Sequence, residues 1–381
     1  MDDSEHESHG DSDRRVEPRG LQAVDAEILE RAAAGEFTVE EAQKLAYGQV
    51  GKMRFEPDGY FFAYDYDVVM VFHPNTKLVG NSSKGKGDTN GFLYRDELVK
   101  AVKAFQLSHS LQADGVIGAG TVTELNISPA IRREQLRINL ERFRWLAQDL
   151  EPEGVLVNVA AAQLSVYQSG IPVWQTRLQV GRAERQTPLL ASRIARLTLN
   201  PTWTVPPTIL REDKLPAIRE DLAYLERQEL SVLDRHGNAL DPHLVDWDNP
   251  GVILLRQAAG SRNPLGRVAL RFANPFSVYL HDTPSQQLFA KAPRAFSSGC
   301  VRVEGVDSLL AWLLSPEELT TVQTRIASGK TQEYRLQQPA PLLIAYWTAE
   351  ALDNGTLRYA PDIYGFDARL IAALPSTLKA N

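Results

Sequence analysis

Cysteine is almost absent from this sequence, since Cys300 is the only one among 381 residues. A single thiol cannot form a disulfide within the chain, and it cannot build a zinc site that needs several thiolates. A lone cysteine is most often a small buried apolar residue. Cys300 therefore needs a distinctive sequence context before a chemical role can be assigned to it.

A surplus of positive charge is also missing, because 41 Lys and Arg residues stand against 48 Asp and Glu, for a formal net charge of −7. Binding of nucleic acid over a broad surface requires clustered cations, so we expect no nucleic-acid partner. No apolar run is long enough for a membrane span. The polar, acidic segment 1–15 lacks the apolar stretch of a secretory signal, which is typical of a cytosolic protein or of one without its leader.

The remaining composition is that of a globular protein, with 43% hydrophobic and 23% charged residues and room for two or three domains. Segment 1–22 is rich in Asp, Ser, His and Arg, which predicts disorder. A helical pattern follows, in which Thr38 and Glu41 have the spacing of a capping box. Helical periodicity returns from Leu93 to Phe105.

The second half of the chain has the pattern of a β-rich domain. Short runs of high β-propensity recur over 154–345, separated by turn residues. A polar, proline-rich stretch at 206–250 interrupts them, and so long an insert is more often a functional flap than a passive loop. A helix predicted over 129–150 leads into this domain, and we expect it to pack there through an apolar stripe. The stripe consists of Leu136, Leu140, Phe143 and Leu150.

The densest chemical signal is SVYLHDTPSQQLFAKAPRAFSSGCVRVEG, residues 277–305. His281 ends an alternating strand with Tyr279 on the same face, and Cys300 follows nineteen residues later. A thiol attacks a carbonyl well at neutral pH only with a base or a lowered pKa, which makes His281 the candidate base. Gly299 permits unusual backbone dihedrals just before the nucleophile. The pattern favours acyl transfer through a cysteine nucleophile.

Neighbouring groups have candidate roles in the same chemistry. Backbone N–H groups from Ser298 to Cys300 can form an oxyanion hole, where one donor contributes ~3 kcal/mol. The helix predicted after Cys300 can favour the thiolate through its N-terminal dipole. Arg302 can bind a substrate carboxylate with two hydrogen bonds, or it can pin the loop. For Asp282, beside the base, we prefer the interpretation that it caps a turn.

The run from His281 to Ser298-Gly299-Cys300-Val301-Arg302 resembles the catalytic motif of the L,D-transpeptidase family. The segments LTLNPTWTVPPTIL, VILLRQAAGSRNPLGRV and DNGTLRYAPDIYGFDARL are similar to the large Gram-negative branch of that family. That branch carries a capping loop, which matches the insert at 206–250. The resemblance covers roughly residues 129–375.

This resemblance implies a mainly β catalytic domain, a sandwich of mixed sheets with short helices and an inserted capping subdomain, preceded by an α/β N-terminal region. It also implies that a backbone carbonyl is the third member of the catalytic triad. The implied site residues are the catalytic Cys300 and His281, Ser298 and Gly299 at the oxyanion site, and the substrate-binding Tyr279, Arg302 and Trp203.

The implied partners are peptidoglycan tetrapeptide stems, one as acyl donor and one as acceptor. The thiolate would attack the peptide bond after meso-diaminopimelate, release the terminal D-Ala and form a 3→3 cross-link, and carbapenems would acylate the same sulfur. Neither a metal nor a cofactor is implied, the location would be the periplasm or cell envelope, and we expect a monomer. Transfer to water would give an L,D-carboxypeptidase instead.

Two upstream segments resemble parts of other families. Segment 23–92 is similar to the start of a Cache-type sensor domain through Gly59-Tyr60-Phe61-Phe62 and Leu78-Val79-Gly80, and 93–128 resembles half of a peptidoglycan-binding module. A structural hairpin and a helical scaffold are the preferred interpretations. A non-catalytic wall-binding or sensor protein stays open as the second hypothesis. The expected order is 1–22 disordered, 23–92 Cache-like, 93–128 module-like, 129–150 linking helix, 151–348 catalytic and 349–381 C-terminal extension.

Overall fold

The computed structural model of this chain describes residues 93–352 and 355–374 continuously, and shorter stretches upstream at 38, 41, 44–45, 54–55, 59–60, 63–64, 69–72 and 76–86. The disorder predicted for 1–22 lies outside these residues, as do most of the Cache-like segment and the last residues of the C-terminal extension. The predicted capping box is confirmed, because Thr38 N–H donates to Glu41 Oε2 at 2.9 Å and Glu41 N–H donates to Thr38 Oγ1 at 3.2 Å.

The strands are β1 Arg54–Phe55, β2 Gly59–Tyr60, β3 Ala63–Tyr64, β4 Met70–Phe72, β5 Gly154–Asn158, β6 Gln163–Gln168, β7 Ile171–Gly181, β8 Leu190–Leu199, β9 Trp203–Thr204, β10 Leu230–Leu233, β11 Leu254–Gln257, β12 Val268–Phe272, β13 Leu280–His281, β14 Ala295–Ser297, β15 Val301–Val303, β16 Gln332–Ala345, β17 Ala349–Ala351 and β18 Leu357–Tyr359. The helices are α1 Tyr94–Ser108, α2 Ala119–Leu125, α3 Pro129–Leu146, α4 Pro207–Ile209, α5 Leu215–Glu220, α6 Tyr224–Arg227, α7 Val306–Leu313, α8 Pro316–Ala327 and α9 Phe366–Ala373. Short 3₁₀ turns lie at Thr76–Leu78, Pro242–Leu244 and Gln286–Ala290, and Leu210–Lys214 is a π-helical turn. None of the helices in the described part of the chain is both long and apolar enough to cross a membrane.

The chain divides into two compact units, of which the upstream one holds residues up to Lys103 together with Asp114–Val116. Within it, β1 pairs with β2 and β3 pairs with β4, in both cases antiparallel. Met70 is buried, and its backbone carbonyl accepts a hydrogen bond from Gly80 N–H at 2.7 Å. The predicted hairpin-like strands of this segment are therefore present.

The second unit is built on one nine-stranded sheet of order β14-β7-β15-β13-β12-β8-β16-β5-β6. Three neighbouring pairs are parallel (β13 with β15, β14 with β7, β16 with β5), and the others are antiparallel. Strand β7 also pairs with β6, so both end strands of the sheet, β14 and β6, pair with β7. The sheet therefore curls back on itself. The mainly β catalytic domain with a mixed sheet is thus confirmed, as one curled sheet rather than two separate layers.

A single apolar core fills this curled sheet and extends under α7 and α8. Its members come from alternate positions of the strands, as the period of two requires. Leu280, Val301 and Val303 are among them, with exposed fractions of 0%, 1% and 0%. The strands β13 and β15 are therefore fixed from one face, and their other face is free to carry polar side chains.

The insert forms a small subdomain with its own sheet and core. Strands β9, β11 and β10 pair in that order, and an apolar cluster that includes Val205, Ile218 and Leu255 packs beside them. The bounds predicted for the insert, 206–250, cover its helices but stop short of β9 and β11. The subdomain is wider because β8 and β12, which flank it, pair directly with each other.

The predicted stripe of the linking helix α3 is confirmed at Phe143, whose ring stacks on Trp347 at 4.2 Å, but not at two of its leucines. Leu140 and Leu150 of that stripe are exposed, at 57% and 42%. Asn139, in contrast, is buried: its Nδ2 donates to Thr348 Oγ1 at 2.8 Å and its Oδ1 accepts from Thr348 N–H at 2.9 Å. The predicted stripe was wrong at these two leucines because α3 turns Asn139 inward, towards Thr348 in the segment that follows β16.

Residues 104–113, 117–128 and 355–374 pack within the second unit. Ser110 Oγ donates to the carbonyl of Tyr359 at 2.8 Å, and Arg142 of α3 pairs with Asp367 of α9 at 2.6 Å. The hydroxyl of Tyr364 donates to the carbonyl of Gly181 at 2.6 Å, which fastens the C-terminal extension to β7. These contacts support the scaffold interpretation for the second half of 93–128, whereas its wall-binding role stays a prediction.

Candidate active site

The parallel register of β13 and β15 brings four predicted site residues to one face. Leu280 lies opposite Val301, and His281 lies opposite Arg302. Because Leu280 and Val301 point into the core, the alternation of side chains turns His281 and Arg302 to the other face. Tyr279 precedes Leu280, and Cys300 precedes Val301. By the same alternation, their side chains lie on the face of His281 and Arg302.

Tyr279 is the immediate neighbour of the thiol of Cys300. Its carbonyl accepts a hydrogen bond from Val301 N–H at 3.1 Å. Burial raises the pKa of the Cys300 thiol, and hydrogen bonds from the backbone and hydroxyl of Tyr279 act against this rise. Burial likewise raises the pKa of Tyr279 to about 12. Both groups therefore hold their protons at neutral pH in the resting protein.

His281 is buried, and its orientation is set by a backbone carbonyl. Its Nδ1 lies 2.5 Å from the carbonyl oxygen of Asp282. A carbonyl can only accept, so the proton is on Nδ1 and the lone pair is on Nε2. Burial, with the charges of Arg302 and Arg271, lowers the pKa of His281 to about 3, against the effect of the bond to Asp282. The imidazole is neutral and able to receive a proton.

The side chain of Asp282 has the turn-binding role expected of it. Its carboxylate accepts a hydrogen bond from Arg267 N–H at 2.9 Å. Gly266, beside that turn, packs so closely on Asp282 that an added Cβ would lie 2.5 Å from the carboxylate. The residue therefore acts twice, since its side chain holds the turn and its carbonyl orients His281.

The loop before the nucleophile is closed by Ser297. Its hydroxyl donates to the carbonyl of Cys300 at 2.5 Å and accepts from Gly299 N–H at 3.1 Å. Gly299 has φ +112°, a conformation that side-chain-bearing residues rarely adopt. The Gly299 N–H is thus already engaged, whereas the N–H groups of Ser298 and Cys300 make no hydrogen bond within the described part of the chain.

Positive charge near the thiol comes from arginines and not from the predicted helix. That helix is present as α7, but it begins at Val306, after the whole of β15. A helix dipole acts mainly within about one turn of its end, so α7 lies too far along the chain to favour the thiolate. The guanidinium groups of Arg271 and Arg302 instead lower the pKa of Cys300.

Arg271 was missed by the sequence analysis. The register of β12 with β13, in which Ala269 faces His281, puts Arg271 beside Tyr279. Its Cζ lies 3.9 Å from the centre of the Tyr279 ring, and its Nε donates to Thr198 Oγ1 at 3.1 Å. The alternation in VALRF could have placed Arg271 on the polar face of its strand, but nothing local pairs that strand with β13.

Arg302 is held by Gln179, another residue that the sequence analysis missed. Arg302 Nη1 donates to Gln179 Oε1 at 3.0 Å, and Gln179 Nε2 donates to the carbonyl of Ser285 at 3.1 Å. Gln179 is fully buried. Within the described residues Arg302 has no carboxylate partner, and neither its buried Nε nor its Nη2 makes a hydrogen bond. Arg302 therefore keeps donors available for an anionic group.

The last two predicted residues lie near the insert. Ser298 is exposed, and its hydroxyl accepts a hydrogen bond from Arg185 Nη1 at 2.9 Å. Trp203 lies on β9 of the insert sheet, with Lys214 Nζ 5.6 Å from the centre of its ring. Its place in a substrate pocket stays a prediction. Across 93–352, 355–374 and the shorter upstream stretches, no group of His, Cys, Asp and Glu is arranged to hold a metal ion.

Comparison with known proteins finds two families in the chain. Residues 152–333 match the YkuD family, described as the L,D-transpeptidase catalytic domain. Residues 21–108 match the family Single Cache domain 2, which includes α1 as well as the Cache-like segment.

One relative and two solved structures are similar to parts of the chain. A Haemophilus influenzae protein named "Putative L,D-transpeptidase" is 36% identical over 242 residues, covering 62% of this chain and 49% of its own length. The chain thus spans about half the length of that relative. The crystal structure of L,D-transpeptidase (Yku) from Stackebrandtia nassauensis is 14% identical, with a TM-score of 0.25, covering 65% of this chain and 77% of that one. L,D-transpeptidase 3 from Mycobacterium tuberculosis is 10% identical, with a TM-score of 0.25, covering 51% and 60%.

Proposed function

We propose that this protein is an enzyme of the L,D-transpeptidase family, whose catalytic domain matches residues 152–333, and that it forms 3→3 cross-links between peptidoglycan stem peptides. One observation carries the proposal: the pairing of β13 with β15 sets His281 opposite Arg302, and the alternation of side chains turns Tyr279 and Cys300 to the same face. The reaction would proceed through a thioester on Cys300 and would take place in the cell envelope, in the periplasm.

In the first step, the Cys300 sulfur attacks the carbonyl carbon of the peptide bond that joins meso-diaminopimelate to the terminal D-Ala. His281 Nε2 takes the thiol proton as the S–C bond forms, and the carbonyl of Asp282 stabilises the Nδ1–H of the resulting imidazolium. Because the thiol and the imidazole are both neutral at rest, proton transfer accompanies attack instead of preceding it. Tyr279, whose hydroxyl acts to lower the pKa of Cys300, is proposed to hold the nucleophile in place.

The negative charge that develops on the substrate oxygen needs donors. The N–H groups of Cys300 and Ser298 are the proposed oxyanion donors, and Gly299 contributes the backbone shape that presents them. Each such donor typically contributes ~3 kcal/mol. The C–N bond then breaks, His281 gives its proton to the departing amine, and D-Ala leaves.

The thioester is resolved by the side-chain amine of a second stem. That amine attacks the thioester carbonyl, its proton passes to His281 Nε2, and the thiol is restored as the new amide forms. Arg302 is proposed to bind a carboxylate of the donor stem, for which its free donors are suited. Water in the place of the amine would give L,D-carboxypeptidase activity from the same intermediate, and the acceptor is decided by product analysis.

The test is the intact mass of the protein after incubation with a carbapenem. Wild type should gain one adduct, Cys300→Ala should gain none, and tetrapeptide stems should yield a cross-linked dimer with loss of D-Ala. Free tripeptide in the place of dimer would show that water is the acceptor. An unmodified wild type, or an adduct that persists in Cys300→Ala, would refute the proposal.

The Cache match supports a second candidate role, the binding of a small carboxylate or amine by residues 21–108. This role does not compete with catalysis, because it uses a different part of the chain. Thermal-shift screening of Cys300→Ala with small carboxylates and amines tests it. A stabilising ligand supports a sensor function, and the absence of any shift across the screen contradicts it.

A further inference from the structure

Arg185 connects residues 297–300, which we call the nucleophile loop, to the insert through a single side chain. Its Nη1 donates both to Ser298 Oγ at 2.9 Å and to Asp213 Oδ2 at 2.6 Å. Its Nη2 donates to Asp213 Oδ1 at 2.7 Å and to Glu212 Oε2 at 2.8 Å. The side chain is only 9% exposed although two carboxylates and a hydroxyl surround it. Ser298 lies two residues before Cys300, so this network reaches the catalytic loop directly.

Residues 182–187, which we call the bracing loop, are hydrogen-bonded to the nucleophile loop at both of their ends. At one end, Arg182 N–H donates to the carbonyl of Ser297 at 3.0 Å. At the other, Thr187 Oγ1 donates to the carbonyl of Gly299 at 2.9 Å, and Thr187 N–H donates to the hydroxyl oxygen of Tyr364 at 3.0 Å. Both ends are thus hydrogen-bonded to backbone carbonyls of residues 297–299, and Arg185 lies between them.

The acidic partners of Arg185 belong to the insert. Glu212 and Asp213 lie on the π-helical turn Leu210–Lys214, which continues directly into α5. That helix buries Ile218 in the separate core of the insert. A displacement of the insert therefore moves the two carboxylates, and with them the guanidinium that binds Ser298.

We propose that Arg185 is a positioning residue that couples the insert to the catalytic loop: its ion pairs with Glu212 and Asp213 fix the Ser298 hydroxyl and hence the Ser298 and Cys300 N–H donors. The inference rests on the proposed function, because it concerns the same nucleophile. The coupling requires a planar guanidinium, because its two terminal nitrogens bind the Asp213 carboxylate and the Ser298 hydroxyl at the same time. An ammonium group does not reproduce this geometry. Arg182 lies farther from the same carboxylate, at 3.7 Å from Asp213 Oδ1, so the insert acts on the sulfur mainly through Arg185.

The experiment uses the full chain with Glu212→Gln and Asp213→Asn combined, and separately Arg185→Lys. Two rates are measured: carbapenem acylation, resolved into its maximal rate and half-saturating concentration, and alkylation of Cys300 by iodoacetamide. Alkylation is a displacement that needs no oxyanion donor, so it reports on the thiol alone. The matched control is Glu229→Gln, which breaks the ion pair with Arg262 at 2.5 Å within the same insert.

Both variants should lower the maximal acylation rate about 10- to 100-fold, the range expected for a misplaced catalytic group. The half-saturating concentration and the alkylation rate should stay within about twofold of wild type, as should every rate of Glu229→Gln. Acylation within twofold of wild type, or an equal fall in acylation and alkylation, would overturn the inference while the proposed function stands. A wild type that is not acylated at all would refute both.

Discussion

The Nδ1 atom of His281 lies 2.5 Å from the carbonyl oxygen of Asp282, the next residue in the chain. This contact fixes the proton on Nδ1 and leaves Nε2 as the base. It is possible because the Asp282 carboxylate is itself held by Arg267 N–H at 2.9 Å. The base is therefore oriented by backbone geometry, and no third acidic side chain is needed for the triad.

The buried imidazole should make the stability of the protein depend on pH. The pKa of His281 falls from 6.5 to about 3 on folding. Below pH 6.5 the unfolded chain binds a proton that the folded protein refuses, so stability is full above pH 6.5 and is lost as pH falls towards 3. At pH 5 the loss due to this residue is about 2 kcal/mol.

His281→Gln should not suffer that loss. Between pH 7 and pH 5, its free energy of unfolding should rise by about 2 kcal/mol relative to that of wild type, measured by denaturant titration at both values. A relative stability that does not change with pH would mean that the imidazole is already charged in the folded protein.

The resting thiol of Cys300 should behave as a neutral group. Because burial raises its pKa, iodoacetamide should alkylate it more slowly at pH 7 than a free thiol, and the rate should climb as pH rises. Tyr279→Phe removes a hydrogen bond that favours the thiolate and should move the profile to still higher pH. A rate that stays high and flat down to acidic pH would instead indicate a thiolate–imidazolium pair.

Gln179 should matter to substrate binding although it is fully buried. Gln179→Met removes the acceptor of Arg302 Nη1, and a hydrogen bond to a charged group is worth roughly 1.5–3 kcal/mol. We expect KM for the tetrapeptide donor to rise about tenfold or more. Gln175→Met on the same strand, which loses only a surface bond to Gln163, should leave KM unchanged. An equal rise in both variants would argue against carboxylate binding by Arg302.

Arg271 should tune the nucleophile through charge. Arg271→Met removes a cation that lies 3.9 Å from the Tyr279 ring and lowers the pKa of Cys300. The alkylation profile should therefore shift to higher pH, and carbapenem acylation at neutral pH should slow several-fold. Arg193→Met, whose guanidinium binds Glu151 at 2.6 Å, serves as the control with no expected shift. An alkylation pH profile that coincides with that of wild type would show that Arg271 does not act on Cys300.

Substitution of Asn139 in helix α3 should destabilise the protein far more than substitution of the exposed Leu140. Asn139→Ala leaves the buried N–H of Thr348 without its acceptor, at a cost of about 1–3 kcal/mol, while the Thr348 hydroxyl keeps its bonds to Asp367 and Arg142. Leu140→Ala, at a site 57% exposed, should cost no more than about 0.5 kcal/mol. Denaturant titration of both variants checks the order, and the reverse order would restore the apolar stripe predicted from the sequence.

The local sequence was sufficient to predict which side chains around Cys300 and His281 share a face of their strands. Gly299 before Cys300, and the alternation from Tyr279 to His281, are properties of consecutive residues, so a period of two and a backbone requirement can be recognised directly. The capping box at Thr38 was predictable for the same reason, because its partners are three residues apart.

Only the tertiary structure decided which strands lie side by side. The parallel pairing that sets His281 opposite Arg302, and the contact of Arg185 with Ser298 across 113 positions of the chain, depend on strand order and register. Those are fixed by burial of the whole sheet around one core, a collective property that no local pattern contains. The polar packing of Asn139 could not be predicted from the sequence for the same reason. Its partner Thr348 lies 209 residues away and becomes a neighbour only when the sheet closes.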